Sequence, residues 1–294
     1  MKKTAFPFLV ILCALLTAVA SAQEPTYDVP FVPTRNEVVD VMLTMAGITK
    51  DDVVYDLGCG DGRIVVTAAQ RYGARGVGID INPTRIKEST ENAEKNKVTD
   101  RVRFIKQDLF EADIREASVV SLYLLPDVNL KLRPNLFKQL KPGTRVVSHN
   151  YSMGEWEADA YKEVPSEYYT HYVYYWVIPA NVSGTWQVTV TGPPAKRDLQ
   201  LFLNQKFQHV TGTAGVSSLK RPVELFTLTG NDVAFTLDGR ITGGSSPVKF
   251  TGTVKGDFME GTAVTTADNG VTMKWSGRRD ASTIQVIHRA ADDR

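Results

Sequence analysis

The stretch VVYDLGCGDGRIVV, from Val53 to Val66, constrains this chain more than any other. Val53, Val54 and Tyr55 lead into Asp56. Gly58, Gly60 and Gly62 then alternate with Cys59 and Asp61, and an apolar run resumes at Ile64. Glycine is needed where φ is positive or where backbone must approach a neighbour closely. Such spacing between two hydrophobic segments predicts a strand, a tight loop and a helix start. In open α/β folds ligands bind at such junctions, beyond the carboxyl ends of parallel strands.

The neighbouring sequence supports a parallel sheet. Gly76 to Ile79, Val102 to Lys106, Ser118 to Leu125 and Thr144 to His149 read as further strands. Between them lie helical stretches. One spans Ile64 to Tyr72, and one opens with Asn82 as N-cap and Pro83 at its first position. A third carries Leu130, Leu136 and Leu140 and closes at the KPG turn. Strands alternating with helices imply a doubly wound, mostly parallel seven-stranded sheet with both faces covered. Tyr161 to Val164 and His171 to Ile178 are expected to close it as an antiparallel hairpin. Upstream, Thr34 and Glu37 form a T-x-x-E pattern that predicts a capping box, with Gly47 stopping the helix. Val38, Val41, Met42 and Met45 fall on its core face.

The character changes near residue 180. Segments such as GTWQVTV, LQLFLNQ, VELFTL, VKFTGTV and VTMKWSG alternate apolar and polar residues between Gly- and Ser-rich turns. About eight such strands without helix signals suggest a small antiparallel barrel or sandwich. Trp186, near its start, would plug it, with Arg278 or Arg279 as a cation–π partner. The expected division is a leader over 1–22, an α/β domain over 23–180 and a β domain over 181–294.

The leader reading rests on Lys2 and Lys3, an apolar run to Ala20, and Ala20-Ser21-Ala22. This resembles a secretory signal cleaved after Ala22. The alternative is an uncleaved membrane anchor with the α/β domain on the cytoplasmic side. Cys13 leaves with a cleaved leader. Cys59 then stands alone, with no disulfide partner and no evident base to make it a nucleophile. It reads as a small filler. The four histidines show no metal-ligand spacing, so no metal is expected. With 34 basic and 33 acidic residues the net charge is +1, which gives no general attraction to nucleic acid.

The glycine spacing restricts the ligand. A dinucleotide fingerprint needs G-x-G-x-x-G, whereas here Arg63 stands at the third glycine's place, and no Gly-Lys-Ser/Thr of a P-loop follows. Asp56, two residues before Gly58, would repel a pyrophosphate and suits an ammonium. These features point to a nucleoside that carries an amino acid and a cationic sulfur, S-adenosylmethionine.

On those residues the chain resembles the class I S-adenosylmethionine-dependent methyltransferases. DLGCGDG resembles their first motif, GVGIDIN their second, and VRFIKQDLF their third. The likeness spans about residues 27 to 178. It implies that Asp56, Gly58, Gly60 and Asp61 meet the methionine moiety. It implies that Asp80 accepts from both ribose hydroxyls and Asp108 from the adenine amino group, with Ile81 and Leu109 flanking the ring. VPFVPT, DLGCGDGRIV, GVGIDINP and LYLLPDVN together resemble a narrower group. These are the small protein-lysine methyltransferases of the ATP-synthase c-subunit and adenine-nucleotide-translocase type, and their bacterial relatives. The methyl acceptor implied is a protein lysine amine. Tyr123, Asp127 and His149, at or just past the fourth and fifth strand ends, are the candidates to face it. A rival reading keeps the fold but makes the chain an exported, non-catalytic nucleoside or metabolite binder.

Overall fold

In a computed structural model, the described residues are 29–193, 196–267 and 270–288. The leader expected over 1–22 lies outside them. No helix among the described residues is long and apolar enough to cross a membrane.

The first part follows strand-helix alternation. Helix α1 (Asn36–Met45) precedes β1 (Val53–Leu57), α2 (Arg63–Tyr72), β2 (Arg75–Asp80), α3 (Pro83–Lys95) and β3 (Val102–Lys106). Then come β4 (Val119–Leu122), α4 (Pro126–Gln139), β5 (Arg145–His149), β6 (Ala160–Pro165) and β7 (Thr170–Val177). The seven strands order as β3-β2-β1-β4-β5-β7-β6. The first five are parallel, and β7 runs antiparallel to both β5 and β6. The strand order reverses between β1 and β4, which places a crevice at their carboxyl ends. One face of the sheet packs Val38, Met42, Val54, Val65 and Val147 under α1 and α2. The other packs Leu57, Leu122, Leu132, Leu136 and Trp156 around α4.

Two local expectations change. The fourth strand stops at Leu122 instead of Leu125, because its ladders to β1 and β5 end there, at Leu57 and Ser148, and Leu125 is already the extended N-cap of α4 ahead of Pro126. Helix α1 begins at Asn36, with Arg35 as N-cap and no side-chain cap. Thr34, expected as the cap, is buried and its Oγ1 lies 3.2 Å from Nδ1 of His149. A tertiary hydrogen bond has taken the hydroxyl that the local pattern assigned to the helix.

The second part is a nine-stranded antiparallel sheet, β8 to β16, one strand more than expected. Its strands are β8 (Gly184–Thr191), β9 (Arg197–Lys206), β10 (His209–Val216), β11 (Leu219–Pro222) and β12 (Glu224–Thr229). They continue with β13 (Asp232–Leu237), β14 (Val248–Lys255), β15 (Phe258–Thr265) and β16 (Thr272–Arg279). The order β11-β10-β9-β8-β16-β15-β14-β13-β12 brings the two ends round toward each other, a nearly closed barrel. Its interior is filled by Trp186, Phe235, Phe250, Met259 and Trp275. Of the two arginines considered, Arg279 sits over Trp186, 4.9 Å from the ring centre, and Arg278 sits over Phe258.

Candidate active site

The site gathers at the carboxyl ends of β1, β2 and β4. Asp56 pairs in register with Gly78 of β2 and Ser121 of β4, so its side chain emerges at the sheet centre. It is buried, and Ser121 Oγ donates to its Oδ1 at 2.7 Å. Burial pushes the Asp56 carboxyl up to about 7. The Ser121 hydrogen bond opposes that shift, and the negative charges of Asp80 and Asp61 add to it. A carboxyl in that state lacks a positive partner.

Asp80 ends β2 and ties two loops together. Gly60 N–H donates to its Oδ2 at 2.9 Å, and Asn82 N–H donates to its Oδ1 at 2.9 Å. Each oxygen keeps a lone pair free for a ligand hydroxyl. Asp61 is held by Arg63, whose Nε lies 2.9 Å from Oδ1 and Nη2 2.5 Å from Oδ2. Past β3, Asp108 Oδ1 accepts from Phe110 N–H at 2.9 Å, which turns the chain so that Leu109 faces the cavity.

Gly58, Gly60 and Gly62 all have positive φ. A Cβ on Gly58 would lie 2.8 Å from Leu124, one on Gly60 2.3 Å from Phe31, and one on Gly62 2.6 Å from Phe104. The glycines are thus needed for turn geometry and for packing against protein side chains. Cys59 is buried, with its thiol pushed well above its ordinary pKa by burial, and it carries none of the chemistry.

These residues enclose a cavity of about 460 Å³, the size of a small-molecule site. Asp56, Gly58, Gly60, Asp61, Asp80, Ile81, Asp108, Leu109 and Tyr123 all line it. Asp127 does not: it is exposed on the first turn of α4. His149 does not line it either. It is 1% exposed and stands behind Tyr123, with ring centres 3.8 Å apart. Its Nε2 lies 2.8 Å from Nδ1 of the buried His171. Burial, reinforced by His171, holds the His149 imidazole down to about 3, so it is neutral.

Sequence reading missed the strap Val29 to Thr34, which forms one wall. Phe31 covers Gly60 and stacks under Arg85 at 4.2 Å. The signal was available in VPFVPT, where two prolines hold an extended segment. Also missed was Asn150, which adopts φ +63 just past β5 and accepts from Tyr172 N–H at 3.0 Å, beside the site.

The cavity suits S-adenosylmethionine on its donor set. Its acids present acceptors for an ammonium, for hydroxyls and for an amino group. Its two arginines are engaged, Arg63 by Asp61 and Arg85 by Glu88, which leaves little to hold phosphates.

Residues 56–160 match the family model of the ANTKMT methyltransferase domain. The chain is 49% identical over 151 residues to a protein-lysine N-methyltransferase of Saccharolobus islandicus, covering 51% of this chain and 94% of that protein. It is 30% identical over 131 residues to the adenine nucleotide translocase lysine N-methyltransferase of Mus musculus, covering 44% of this chain and 56% of that protein. Among solved structures, it is 55% identical to an RNA methyltransferase from Salinibacter ruber in complex with S-adenosyl-L-homocysteine. That likeness has a TM-score of 0.47 and covers 50% of this chain and 93% of that one. The chain belongs to the family of S-adenosylmethionine-dependent methyltransferases that the ANTKMT-type domain defines.

Proposed function

We propose that this methyltransferase acts on a protein lysine amine. The observation that carries the reading is the 49% identity to the archaeal protein-lysine N-methyltransferase across nearly its whole length. The geometry agrees with a cationic, flexible acceptor. Tyr123 lines the cavity, and Tyr151 faces it with ring centres 6.3 Å apart, an aromatic entry suited to a lysine side chain.

S-adenosylmethionine, when bound, supplies a methyl on a sulfonium that is already a good leaving group, so in-line positioning of the acceptor carries most of the catalysis. Asp56 would accept from the ligand ammonium, which favours its ionised form. Asp80 would accept from the ribose hydroxyls and Asp108 from the adenine amino group, with Ile81 and Leu109 flanking the ring. Asp61, braced by Arg63, keeps the loop at its turn and adds negative charge beside Asp56. Tyr123 orients the amine, and His149 acts behind it as a positioning residue. Asp127, exposed beside the mouth, is the carboxylate available to guide an incoming ammonium.

The test is transfer of a labelled methyl group to a panel of lysine-bearing proteins and to RNA from the same cells. Label recovered as methyl-lysine supports the proposal. Label recovered on RNA alone overturns it. We also propose export through residues 1–22, checked by sequencing the amino terminus of the natural protein: a start at Gln23 supports it, and a retained leader favours the anchor.

A further inference from the structure

A side chain from a turn of the barrel packs in the other domain's core. Phe207, in the β9–β10 turn, is fully buried, yet it packs in the cluster under α4 and not among the barrel's own residues. Its ring lies 5.8 Å from Phe137 and 6.2 Å from Trp156. Phe207 also holds φ +53, a left-handed conformation that a bulky residue adopts at a cost. A turn needing only that geometry would use glycine or asparagine. Docking of the phenyl ring offsets the strain.

The surface it meets is the loop 150–159, which leaves β5 at the site. Trp156 is fully buried between Phe137, Trp176 and Phe207. Around it, Lys206 pairs with Glu155, Gln208 Nε2 donates to Glu157 O at 2.7 Å, and His209 Nε2 lies 3.2 Å from the Glu157 carboxylate. The other side of the loop is held by the α/β domain. Ser148 Oγ donates to Tyr151 O at 2.7 Å, and Arg133 Nη1 donates to Met153 O at 2.8 Å. Tyr151, at the loop's start, faces Tyr123 in the site. The match to the archaeal relative leaves too little of that protein for a second domain of this size.

We propose that the barrel acts as an intramolecular clamp, with Phe207 as a positioning residue that fixes loop 150–159 and, through it, the acceptor-side Tyr151. This deepens the methyltransferase reading, because it rests on Tyr123 and Tyr151 marking the acceptor side.

The experiment compares amide hydrogen exchange of the full chain with that of Phe207→Leu and Phe250→Leu. Phe250 is fully buried in the barrel core, so its variant controls for lost barrel stability. The proposal expects Phe207→Leu to speed exchange in 150–159 by about tenfold or more while Phe250→Leu leaves it near the parent rate. Equal acceleration by both variants, or none by Phe207→Leu, overturns it. S-adenosylhomocysteine affinity is measured alongside and is expected to be the same in all three. A drop in Phe207→Leu alone would place the clamp's effect on the cofactor side and overturn the assignment to Tyr151. Absence of binding in the parent chain would instead sink the methyltransferase reading, whatever the exchange rates.

Discussion

The backbone N–H of Gly60 donates to the carboxylate of Asp80 at 2.9 Å, so the loop after β1 is held by the residue that ends β2. The cofactor elbow is therefore not a free glycine loop. It is fixed by the same carboxylate that we propose accepts from the ligand's ribose hydroxyls. Asp80→Asn puts a donor NH₂ against one of the two N–H groups that Asp80 now accepts. A hydrogen bond to a charged group is worth about 1.5–3 kcal/mol, so S-adenosylhomocysteine should bind about tenfold to hundredfold more weakly. Isothermal calorimetry reads this directly, and unchanged affinity would refute the role given to Asp80.

In the role proposed for it, Asp56 should make ligand binding pH-dependent. Its carboxyl is raised from 3.8 to about 7 in the folded chain. Relative to an ordinary aspartate, its contribution to folding is fully present below 3.8 and is lost as pH rises through about 7. A ligand ammonium favours the ionised form, so binding just below neutral pH should release protons. Calorimetry in buffers of differing ionisation enthalpy should show that release in the parent chain and not in Asp56→Asn.

His149 gives a pH slope of the opposite sign. Its imidazole is lowered from 6.5 to about 3 by burial and by His171. Its contribution is present above 6.5 and is lost as pH falls toward about 3. Urea unfolding at neutral pH and at about pH 5 should show a smaller acid loss in His149→Asn than in the parent. If the two lose stability equally over that interval, the buried neutral pair is not what the acid attacks.

Arg279 should matter to the barrel and not to the cofactor. Its side chain is 5% exposed, lies over Trp186, and donates to Asn181 O at 2.7 Å and Ser183 O at 3.2 Å. Arg279→Met leaves two carbonyls short of a donor and Asp257 without its partner. A loss of about 1–3 kcal/mol is expected in guanidinium unfolding, with S-adenosylhomocysteine affinity unchanged. A cofactor site that weakens in step would mean that the barrel supports the elbow as well as the loop 150–159.

Much of this molecule is legible in its sequence, and the reason is local. Alternation of strand and helix patterns, the glycine elbow and an acid at each of three successive strand ends are short-range features. Each depends on backbone sterics and on the period of apolar residues. They determine a parallel sheet, the end of it that binds, and a ligand with an ammonium instead of phosphates. The change to period-two alternation near residue 180 determines a β domain in the same way, and Trp186 with an arginine near the last strand is readable as its plug.

The tertiary structure decided what depends on partners far apart in sequence. Thr34 fits a helix cap by pattern, but His149, over a hundred residues away, is within reach of its hydroxyl and takes it. His149 looks like a residue that faces an acceptor, but Tyr123 stands in front of it. Gly58 and Gly60 line the cavity, but protein neighbours also require glycine there, since Leu124 and Phe31 stand where a Cβ would go. Phe207 reads as one more apolar residue near a strand end. Only the fold shows that it leaves its own barrel to bury against Trp156. Local patterns set which conformations each segment prefers. Burial and long-range hydrogen bonding then decide among those preferences, because a buried polar group or an exposed ring costs more than a cap or a turn preference can return.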